Sequence, residues 1–450
     1  MGGYLFLQVS FLIEGDFMKY FCVGIKGSGM STLAQILSDL GHTVAGYDDN
    51  KNHTFTEEGL IKRNIPIYYN QEHPIDKEMI VTYSKAFSLS HPELVFLKNE
   101  GLEFVEYNEL LGRLTQEFET IGVSGTHGKT TTSTMITDIL KDKGVNYFIG
   151  DGSGYAKRDN KLFVIESCEF KRHFLSYSPY LAVITNIELE HTECYSGIED
   201  IIATFNKFAN KAKIVVACGD DGNIQKLKTT IKVYHYGFKT DNDIYATNIT
   251  MNELGSDFDV FYNKNFWGHF HMPLVGKHMI LNALCSILVG LLYNVDLTTI
   301  KDTLSNFTTP KRRFKETKVA DNIMIDDYAH HPTEILKTIE AARIKYPDKK
   351  IIAIFKPNTY SRTLALKDDF IKVLSTADEA YITPIDCNRE KKEDYPNISS
   401  EDLVSKMPNG HLLINDDITP LTKYHNTVLV FMSCANIYSL EDKYKEVVLK

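Results

Sequence analysis

The stretch TIGVSGTHGKTTTSTMITDIL, residues 120–140, constrains the fold more than any other part of the sequence. A short apolar run leads into a glycine-containing turn, and Met135, Ile136 and Ile139 then follow at the spacing of one helical face. We expect a strand, a loop and a helix that is closed by Gly144. Such a loop points backbone N–H groups and the positive end of the helix dipole at an anion.

The loop departs from the usual phosphate-loop pattern at one position. The pattern G-x-x-x-x-G-K-[ST] places a glycine five residues before Gly128, where this chain has Val123. Lys129 and Thr130 nevertheless follow Gly128 directly, and helix capping alone does not explain this order. We therefore predict a nucleotide site, with Lys129 near the outer phosphates and the Thr130 hydroxyl on a magnesium ion. A strand, turn and helix with chance glycines is the alternative.

Composition narrows the class of protein. A chain of 450 residues is expected to form about three domains. The net charge of -10 argues against nucleic acid as the main partner. Seven cysteines without a C-x-x-C pair suggest neither a zinc knuckle nor a redox motif, and they fit the reducing cytoplasm.

The N-terminal run YLFLQVSFLI lacks a preceding basic residue and a cleavage site, so we expect residues 1–17 to be an extension before a true start at Met18.

The first segment, residues 18–112, reads as a Rossmann-like domain. A strand, a glycine turn and a helix are followed by a second strand that delivers Asp48. Gly24, Gly27 and Gly29 would allow a diphosphate to approach the helix, and the acid could meet a ribose or base edge. Their G-x-x-G-x-G spacing is not the dinucleotide fingerprint, so we expect a nucleotide diphosphate rather than NAD. A tight turn that needs glycine is the alternative.

The central segment, residues 113–309, contains acids at the ends of predicted strands. The strand LFVIE ends at Glu166, and YLAVITNIE leads to His191. Ligands of parallel sheets collect beyond the carboxyl ends of the strands. Glu166 is therefore a candidate ligand of the magnesium held by Thr130, and His191 could meet a second metal. Solvated strand caps are the alternative.

The third segment, residues 310–450, begins near TTPKRRF and again alternates strands with helices. We expect strands at 323–325, 351–355 and VLVFM, and helices at about 333–346 and 363–374. The fold class is thus α/β throughout, with a central phosphate-loop domain whose sheet is mainly parallel, between two Rossmann-like domains.

Five motifs carry a resemblance to a known family. GTHGKTTT, TNIELEHTECY, GKHMILNAL, KRRF and DDYAHHPTEI, in this order, resemble the Mur ligases of bacterial peptidoglycan synthesis. With the leading VGIKGSGMS, the chain is most similar to the members that join L-alanine to UDP-N-acetylmuramate. The phosphate loop of this family is G-T-[HN]-G-K-[ST], so Gly125 takes the place of the leading glycine.

The resemblance implies an ATP- and Mg2+-dependent ligase that forms an acyl phosphate on UDP-N-acetylmuramate and transfers the acyl group to L-alanine. It implies a cytoplasmic monomer or weak homodimer with no nucleic-acid partner and no membrane insertion. The resemblance implies that the catalytic residues are Lys129, Glu166, His191 and Arg362, and that the metal ligands are Thr130, Glu166 and His191. It implies that ATP is bound by Gly125, Thr126, His127, Gly128, Lys129, Thr130, Thr131, His278, Asn282, Arg313 and Asp327. It implies that UDP is bound by Gly27, Ser28, Gly29, Asp48 and Ser84, and the amino acid by His330, His331, Asn358 and Arg362.

Some features leave alternatives open. Asn358 and Thr359 stand where the family commonly has histidine and arginine, which weakens the prediction of the amino acid. His330 and His331 precede a proline, an arrangement that is also typical of helix starts. A peptide-recycling ligase, a relative that prefers glycine or serine, and a non-catalytic nucleotide-binding scaffold are the competing functions. The presence of Lys129, Thr130, Glu166 and His191 together argues against the scaffold.

Overall fold

The computed structural model describes residues 17–84, 87–191, 194–386 and 390–449. The chain forms two compact units. The first contains the residues up to Ala246 with Phe261–Phe266 and Leu281–Thr303, and the second contains Thr247–Val260, Trp267–Ile280 and the residues from Leu304 onward. Three sheets connected by helices confirm the predicted α/β class. The boundaries predicted at 112 and 309 stay predictions, and the extension proposed before Met18 lies, apart from Phe17, outside the described residues.

The N-terminal sheet is built from short, buried, parallel strands. Its elements are β1 (Lys19–Val23), α1 (Ser28–Asp39), β2 (Thr43–Tyr47), α2 (Glu57–Lys62), β3 (Ile67–Tyr68), β4 (Met79–Tyr83), α3 (Pro92–Asn99), β5 (Glu103–Glu106) and α4 (Tyr107–Leu114). The strand order is β3-β2-β1-β4-β5. The apolar run of β1 explains its central position, since four of its five residues are buried. Gly41, with φ +89°, follows the end of α1.

The central sheet has ten strands. Its elements are β6 (Glu119–Ser124), α5 (Lys129–Ile139), β7 (Val145–Phe148), β8 (Gly154–Tyr155), β9 (Leu162–Glu166), β10 (Leu181–Ile184), α6 (Ile198–Ala209), β11 (Ile214–Cys218), β12 (Lys232–Gly237), β13 (Ile244–Asn252), β14 (Gly255–Tyr262), β15 (Asn265–Met272), α7 (Lys277–Leu292) and α8 (Leu297–Ser305). The order is β15-β14-β13-β12-β11-β10-β6-β9-β7-β8.

Most of this sheet is parallel, as predicted. The parallel pairs run from β7 through β9, β6, β10, β11 and β12 to the start of β13. The two-residue connections between β13, β14 and β15 make those strands antiparallel neighbours, which the sequence analysis did not identify. The helix α5 ends at Ile139, and a short 3-10 turn, Lys141–Lys143, separates it from Gly144. Gly144 therefore closes that turn rather than the helix itself.

The C-terminal sheet has six strands in the order β16-β17-β21-β18-β19-β20. The elements are β16 (Lys315–Val319), β17 (Asn322–Asp327), α9 (Pro332–Lys345), β18 (Ile351–Phe355), α10 (Tyr360–Ala365), α11 (Lys367–Leu374), β19 (Glu379–Ile382), α12 (Ser400–Val404), β20 (Gly410–Leu412), β21 (Val428–Met432) and α13 (Tyr438–Val448). Apolar clusters cover both faces, with β18 and β21 at the centre.

One predicted helix is wrong. The pattern at 363–374 was expected to form a single helix, but α10 and α11 are separated at Leu366, whose φ is -114° and ψ is 22°. Leu366 packs partly buried against the apolar core, and this contact turns the chain between the two helices. No helix among the described residues is both long enough and apolar enough to cross a membrane.

Candidate functional site

The phosphate loop between β6 and α5 has backbone geometry that glycine provides. Gly125 has φ +139° and Gly128 has φ +82°. A Cβ atom on Gly125 would collide with the Thr185 hydroxyl and lie 3.0 Å from the Thr185 backbone nitrogen. Val123, where the usual pattern has its first glycine, is fully buried within β6. The strand therefore extends past that position, and Gly125 is the first glycine of the loop.

The segment after β10 holds the phosphate loop in place. The Thr126 N–H donates to the Asn186 carbonyl at 3.0 Å, and the His127 N–H donates to the Asn186 side-chain oxygen at 2.8 Å. The Thr185 hydroxyl and the Asn186 side-chain nitrogen donate to the His127 carbonyl, at 2.6 and 3.0 Å. Because these groups are paired within the protein, the first turn of α5, with its positive helix end, is the part of this segment whose chemistry suits an anion.

Lys129, the first residue of α5, folds back over the loop. Its Nζ lies 2.5 Å from the Gly125 carbonyl oxygen and 3.0 Å from that of Thr126. The two carboxylate oxygens of Glu169 lie 3.0 and 3.1 Å from the same nitrogen. Burial acts to lower the pKa of Lys129, but the charges of Glu169 and of the neighbouring Cys168 and Glu166, together with the hydrogen bond to Glu169, outweigh it, so this pKa stands above its usual value. Lys129 is therefore charged at neutral pH.

Glu169 is a candidate functional residue that the sequence analysis missed. It lies three residues beyond the end of β9, and its 4% exposed side chain faces both Lys129 and His191, whose Nε2 is 3.8 Å away. Glu166 ends β9 and accepts the Gly150 N–H at 2.9 Å. The structure thus places Glu169 rather than Glu166 in contact with Lys129, and the metal-binding role of Glu166 stays a prediction. The sequence carried one sign of this residue: Glu169 is an acid in the loop that follows β9, and β9 is the strand that pairs with β6.

His191 reaches this group from the loop after β10. Its backbone is left-handed, with φ +55°, and its carbonyl accepts the N–H groups of Cys194 and Tyr195 at 2.7 and 3.1 Å. The imidazole centroid lies 4.9 Å from that of the Phe170 ring. The tight backbone and the ring contact together hold the imidazole beside Glu169.

The donor atoms near the loop fit magnesium. Thr130 lies in the first turn of α5, and its side chain is buried beside the loop. Its hydroxyl and the carboxylates of Glu166 and Glu169 are oxygen ligands, which magnesium prefers. The nitrogen of His191 suits transition metals better, so its predicted role as a magnesium ligand has less support from donor chemistry.

Two residues of α7 were predicted to contact adenine. A Cβ atom on Gly128 would lie 2.8 Å from Asn282 Oδ1, so Asn282 packs directly against the phosphate loop. One turn earlier, burial and the positive charge of Lys337 lower the pKa of His278 to about 3. Its imidazole is neutral at pH 7 and can both donate and accept a hydrogen bond, as recognition of a base requires. The adenine contact itself stays a prediction.

The five residues predicted to bind UDP follow three neighbouring strands. β1 pairs with both β2 and β4, so the carboxyl ends of these strands meet. Gly27, Ser28 and Gly29 follow β1, Asp48 follows β2, and Ser84 follows β4. The structure therefore brings all five to one edge of the sheet, the position where parallel sheets bind ligands.

A buried lysine, which the sequence analysis did not single out, organises this edge. The Lys26 Nζ donates to the carbonyls of Asn50 and Asn52, both at 2.6 Å, and pairs with Glu57 at 2.6 Å. Asp48 accepts the N–H of Lys26 at 2.8 Å and that of Asn50 at 3.0 Å. Both oxygens of Asp48 thus already shape the loops, and its contact with UDP stays a prediction.

In the second unit, Asp327 fixes the KRRF loop. Its two oxygens accept the N–H groups of Phe314 and Ala329 at 2.7 and 2.8 Å. Burial raises the pKa of Asp327 to about 6, although the positive charge of Arg313 opposes the change. The Arg313 guanidinium lies over the Tyr328 ring at 4.8 Å. The structure brings Arg313 and Asp327 together, and their predicted contact with ATP stays a prediction.

The two adjacent histidines begin α9. His331 is the N-cap residue: its ring accepts the Thr333 N–H at 3.3 Å, and the Glu334 carboxylate accepts the His331 N–H at 3.3 Å. His330 Nδ1 lies 3.1 Å from the same carboxylate. These contacts are the helix-start arrangement that the sequence analysis left open beside a role in the amino-acid pocket.

The predicted amino-acid pocket also includes the start of α10. The side-chain nitrogen of Asn358 donates to the Asp386 carbonyl at 2.9 Å, and Arg362 Nη1 lies 3.5 Å from the Asn358 carbonyl. Thr359 has φ +79°, which is unusual for a β-branched residue. Asn358 thus serves the local structure, whereas the guanidinium of Arg362 has the chemistry that a carboxylate ligand requires.

Family models match three successive parts of the chain. They are the Mur ligase family catalytic domain over residues 19–119, the Mur ligase middle domain over 123–290, and the Mur ligase glutamate ligase domain over 312–431. The chain belongs to the Mur ligase family and is an ATP-dependent amide-bond ligase of peptidoglycan synthesis. The predicted family and the three-domain α/β architecture are confirmed.

Solved structures share the fold over most of the chain. UDP-N-acetylmuramate-alanine ligase MurC from Thermotoga maritima is 24% identical, with a TM-score of 0.79 over 96% of this chain and 99% of that chain. The murein peptide ligase Mpl from Psychrobacter arcticus is 22% identical, with a TM-score of 0.72 over 96% and 98%. The MurF ligase from T. maritima in complex with ADP is 17% identical, with a TM-score of 0.62 over 82% and 89%.

Proposed function

We propose that this chain joins L-alanine to the carboxylate of UDP-N-acetylmuramate and cleaves ATP to ADP and phosphate. The observation that carries the proposal is the group formed by Lys129, Glu169 and His191 at the phosphate loop. It combines a charged lysine, a buried carboxylate and an imidazole beside the N-terminus of a helix. The glycine loop after β1 supplies a separate position for the UDP-sugar.

The reaction consists of two transfers. A carboxylate oxygen of the sugar attacks the γ-phosphorus of ATP, the bond between that phosphorus and the ADP oxygen breaks, and an acyl phosphate forms. The nitrogen of L-alanine then attacks the acyl carbon, and the bond to phosphate breaks as the amide forms and the amine loses a proton. Both steps need positioning and neutralised negative charge more than a covalent catalyst, and Lys129 and the first turn of α5 contribute both at the phosphates.

A magnesium ion would supply further positive charge at the phosphate oxygens. The Thr130 hydroxyl and the carboxylates of Glu166 and Glu169 are the residues that would hold it, with His191 beside them. The Glu169 carboxylate also balances the charge of Lys129.

Arg362 is the residue that we propose for the carboxylate of the amino acid. His330, His331 and Asn358 are the remaining proposed pocket residues. Asn358 and Thr359 differ from the usual family pattern, so glycine and serine are competing substrates. A ligase that accepts a whole peptide is the second candidate, because the Mpl structure from P. arcticus matches 96% of this chain.

The test is phosphate release from ATP in the presence of UDP-N-acetylmuramate and a panel of acceptors. The panel contains L-alanine, glycine, L-serine and a short stem peptide. We expect release to require the UDP-sugar and to be fastest with L-alanine. Release that is independent of the UDP-sugar would remove the proposed substrate, and faster release with the peptide would assign the chain to the recycling ligases.

A further inference from the structure

The turn that carries Glu169 has an unusual backbone. Lys171 has φ 48° and ψ 26°, and Arg172 has φ 58° and ψ 27°. Both lie in the left-handed region, which disfavours residues with a Cβ atom. The Arg172 N–H donates to the Glu169 carbonyl at 2.8 Å, so these conformations close the turn that presents Glu169. Strain of this kind persists only where other contacts enforce it.

The Arg172 side chain makes such contacts. Its Nη2 donates to both carboxylate oxygens of Asp200 at 2.9 Å, and its Nη1 donates to the Cys194 carbonyl at 3.3 Å. The guanidinium also lies 4.9 Å from the centroid of the Tyr195 ring. The Ser196 N–H and Arg172 together lower the pKa of Asp200, so the pair is charged at neutral pH. Arg172 thereby connects its own turn with the start of α6 and with residues 194–195.

The backbone turn at Arg172 and the contacts of the Arg172 side chain both lead to the candidate site. Cys194 and Tyr195 donate their N–H groups to the His191 carbonyl, and the Tyr195 hydroxyl donates to the Glu169 carbonyl at 2.5 Å. Arg172 therefore connects the turn that carries Glu169 with the turn that carries His191. The side chains of these two residues lie 3.8 Å apart.

We propose that Arg172 is a positioning residue that sets the spacing of Glu169 and His191 and thereby the affinity for a divalent cation at the phosphate loop. The inference rests on the proposed function of that site. Arg172 acts through its partners, since its guanidinium is bound to Asp200, Cys194 and Tyr195.

The neighbouring residue provides a matched control. Lys171 has the same left-handed backbone, but its ammonium lies over the ring of Phe170, on the same turn, at 5.3 Å, and its removal leaves the contact of that ring with His191 in place. Arg172→Gly and Lys171→Gly both relieve the backbone strain, whereas Arg172→Gly also removes the connection to the His191 turn. Arg172→Lys keeps the charge but loses the guanidinium geometry.

The experiment measures binding and turnover separately. Mn2+ binding in the presence of ADP is followed by electron paramagnetic resonance, and the Mg2+ dependence of kcat by phosphate release. For Arg172→Gly we expect about tenfold weaker Mn2+ binding and a higher Mg2+ requirement, the size of effect typical of residues that orient metal ligands. The KM for the UDP-sugar should stay within about twofold, Lys171→Gly should resemble the parent, and Arg172→Lys should be intermediate.

Two results would overturn the proposal: parent-like Mn2+ affinity in Arg172→Gly, or an equal loss in Lys171→Gly, which would assign the effect to backbone strain. If Arg172→Gly fails to fold, Asp200→Asn tests the same connection and should weaken Mn2+ binding in the same direction. A parent protein that binds Mn2+ with ADP but shows no turnover dependent on the UDP-sugar contradicts the proposed function alone, because the binding comparison still tests Arg172.

Discussion

Lys129 and Glu169 form a buried ion pair across a sequence separation of 40 residues. The lysine belongs to a motif with recognisable spacing, so its role could be proposed from the sequence. The glutamate belongs to a loop with no motif of its own, and the only acid singled out near this strand was Glu166, as a magnesium ligand. The strand pairing of β6 with β9 is what places Glu169 opposite Lys129. The sequence therefore predicted the lysine of this ion pair but not its glutamate.

Replacing Lys129 tests the phosphate-binding role. Lys129→Ala removes the charge that faces the outer phosphates, and we expect phosphate release to fall by at least about 100-fold with the fold intact. Circular dichroism and steady-state phosphate release provide the measurements. Lys141→Ala, an exposed lysine just beyond the same helix, is the control and should behave as the parent does. Near-parent turnover by Lys129→Ala would contradict the mechanism.

The roles of Glu166 and Glu169 can be distinguished by replacing each of them in turn. Glu169→Gln removes the counter-charge of Lys129, and we expect a loss of kcat of about 100-fold or more. Glu166→Gln keeps a side-chain oxygen that can accept the Gly150 N–H and can still face a magnesium ion, so we expect a smaller loss, below about tenfold. Initial rates at saturating ATP provide the comparison. The reverse ranking would restore Glu166 as the principal acid of the site.

The raised pKa of Asp327 predicts that the parent and an Asp327→Asn variant differ in stability by an amount that depends on pH. Its pKa is raised to about 6 by burial, so the native state binds this proton more tightly than the unfolded state does. Stability contributed by Asp327 is therefore present at low pH and is lost as the pH rises from about 4 to 6. Relative to the parent, Asp327→Asn should gain about 3 kcal/mol between pH 4 and pH 7.

Urea unfolding at several pH values measures this difference between parent and variant. The exposed Asp348→Asn is the control, and its difference from the parent should not change with pH. A constant difference for Asp327→Asn across the same range would show that this carboxyl titrates normally.

At the scale of elements, apolar runs predicted most strands well. The strand at 351–355 and the strand ending at Glu166 lie where the patterns placed them, because buried parallel strands consist of short continuous apolar runs. The region at 363–374 was less predictable, since the packing of Leu366 against the core divides it into α10 and α11. The spacing of apolar residues along a helix does not predict such a tertiary contact.

Val123 provides an element-scale test of the shortened loop. Val123→Gly would restore the usual phosphate-loop spacing, but Val123 is fully buried within β6. We expect this change to lower the free energy of unfolding by about 3 kcal/mol, through the lost side chain and the added backbone freedom, without raising kcat. Denaturant unfolding and phosphate release measure the two effects. Gly125→Ala should instead inactivate the enzyme, because its Cβ collides with Thr185.

At the scale of the whole molecule, the described residues form three sheets. The alternation of strands and helices predicted this architecture, and the family models support it. The antiparallel strands β14 and β15 were missed although buried apolar residues alternate with polar ones along them, the pattern typical of strands with one buried face.

Nucleotide binding should stabilise the unit that contains the phosphate loop. A nonhydrolysable ATP analogue with Mg2+ at about 100 times its Kd should add about 2.7 kcal/mol to the stability of the unit that binds it. Differential scanning calorimetry measures the shift, with NAD as the control ligand that we expect to have no effect. Lys129→Ala should reduce the shift produced by the analogue. An equal shift in parent and variant would place the nucleotide elsewhere.

The sequence by itself determined the features that depend on neighbours along the chain. These include the phosphate-loop helix, the glycine turn after β1, the buried strands and the α/β class, because backbone propensities and apolar periodicity act over a few residues. Only the tertiary structure decided which distant groups meet. The pairing of Lys129 with Glu169, the burial of Lys26 and the contacts of Arg172 arise because parallel strand order places separate loops at one edge.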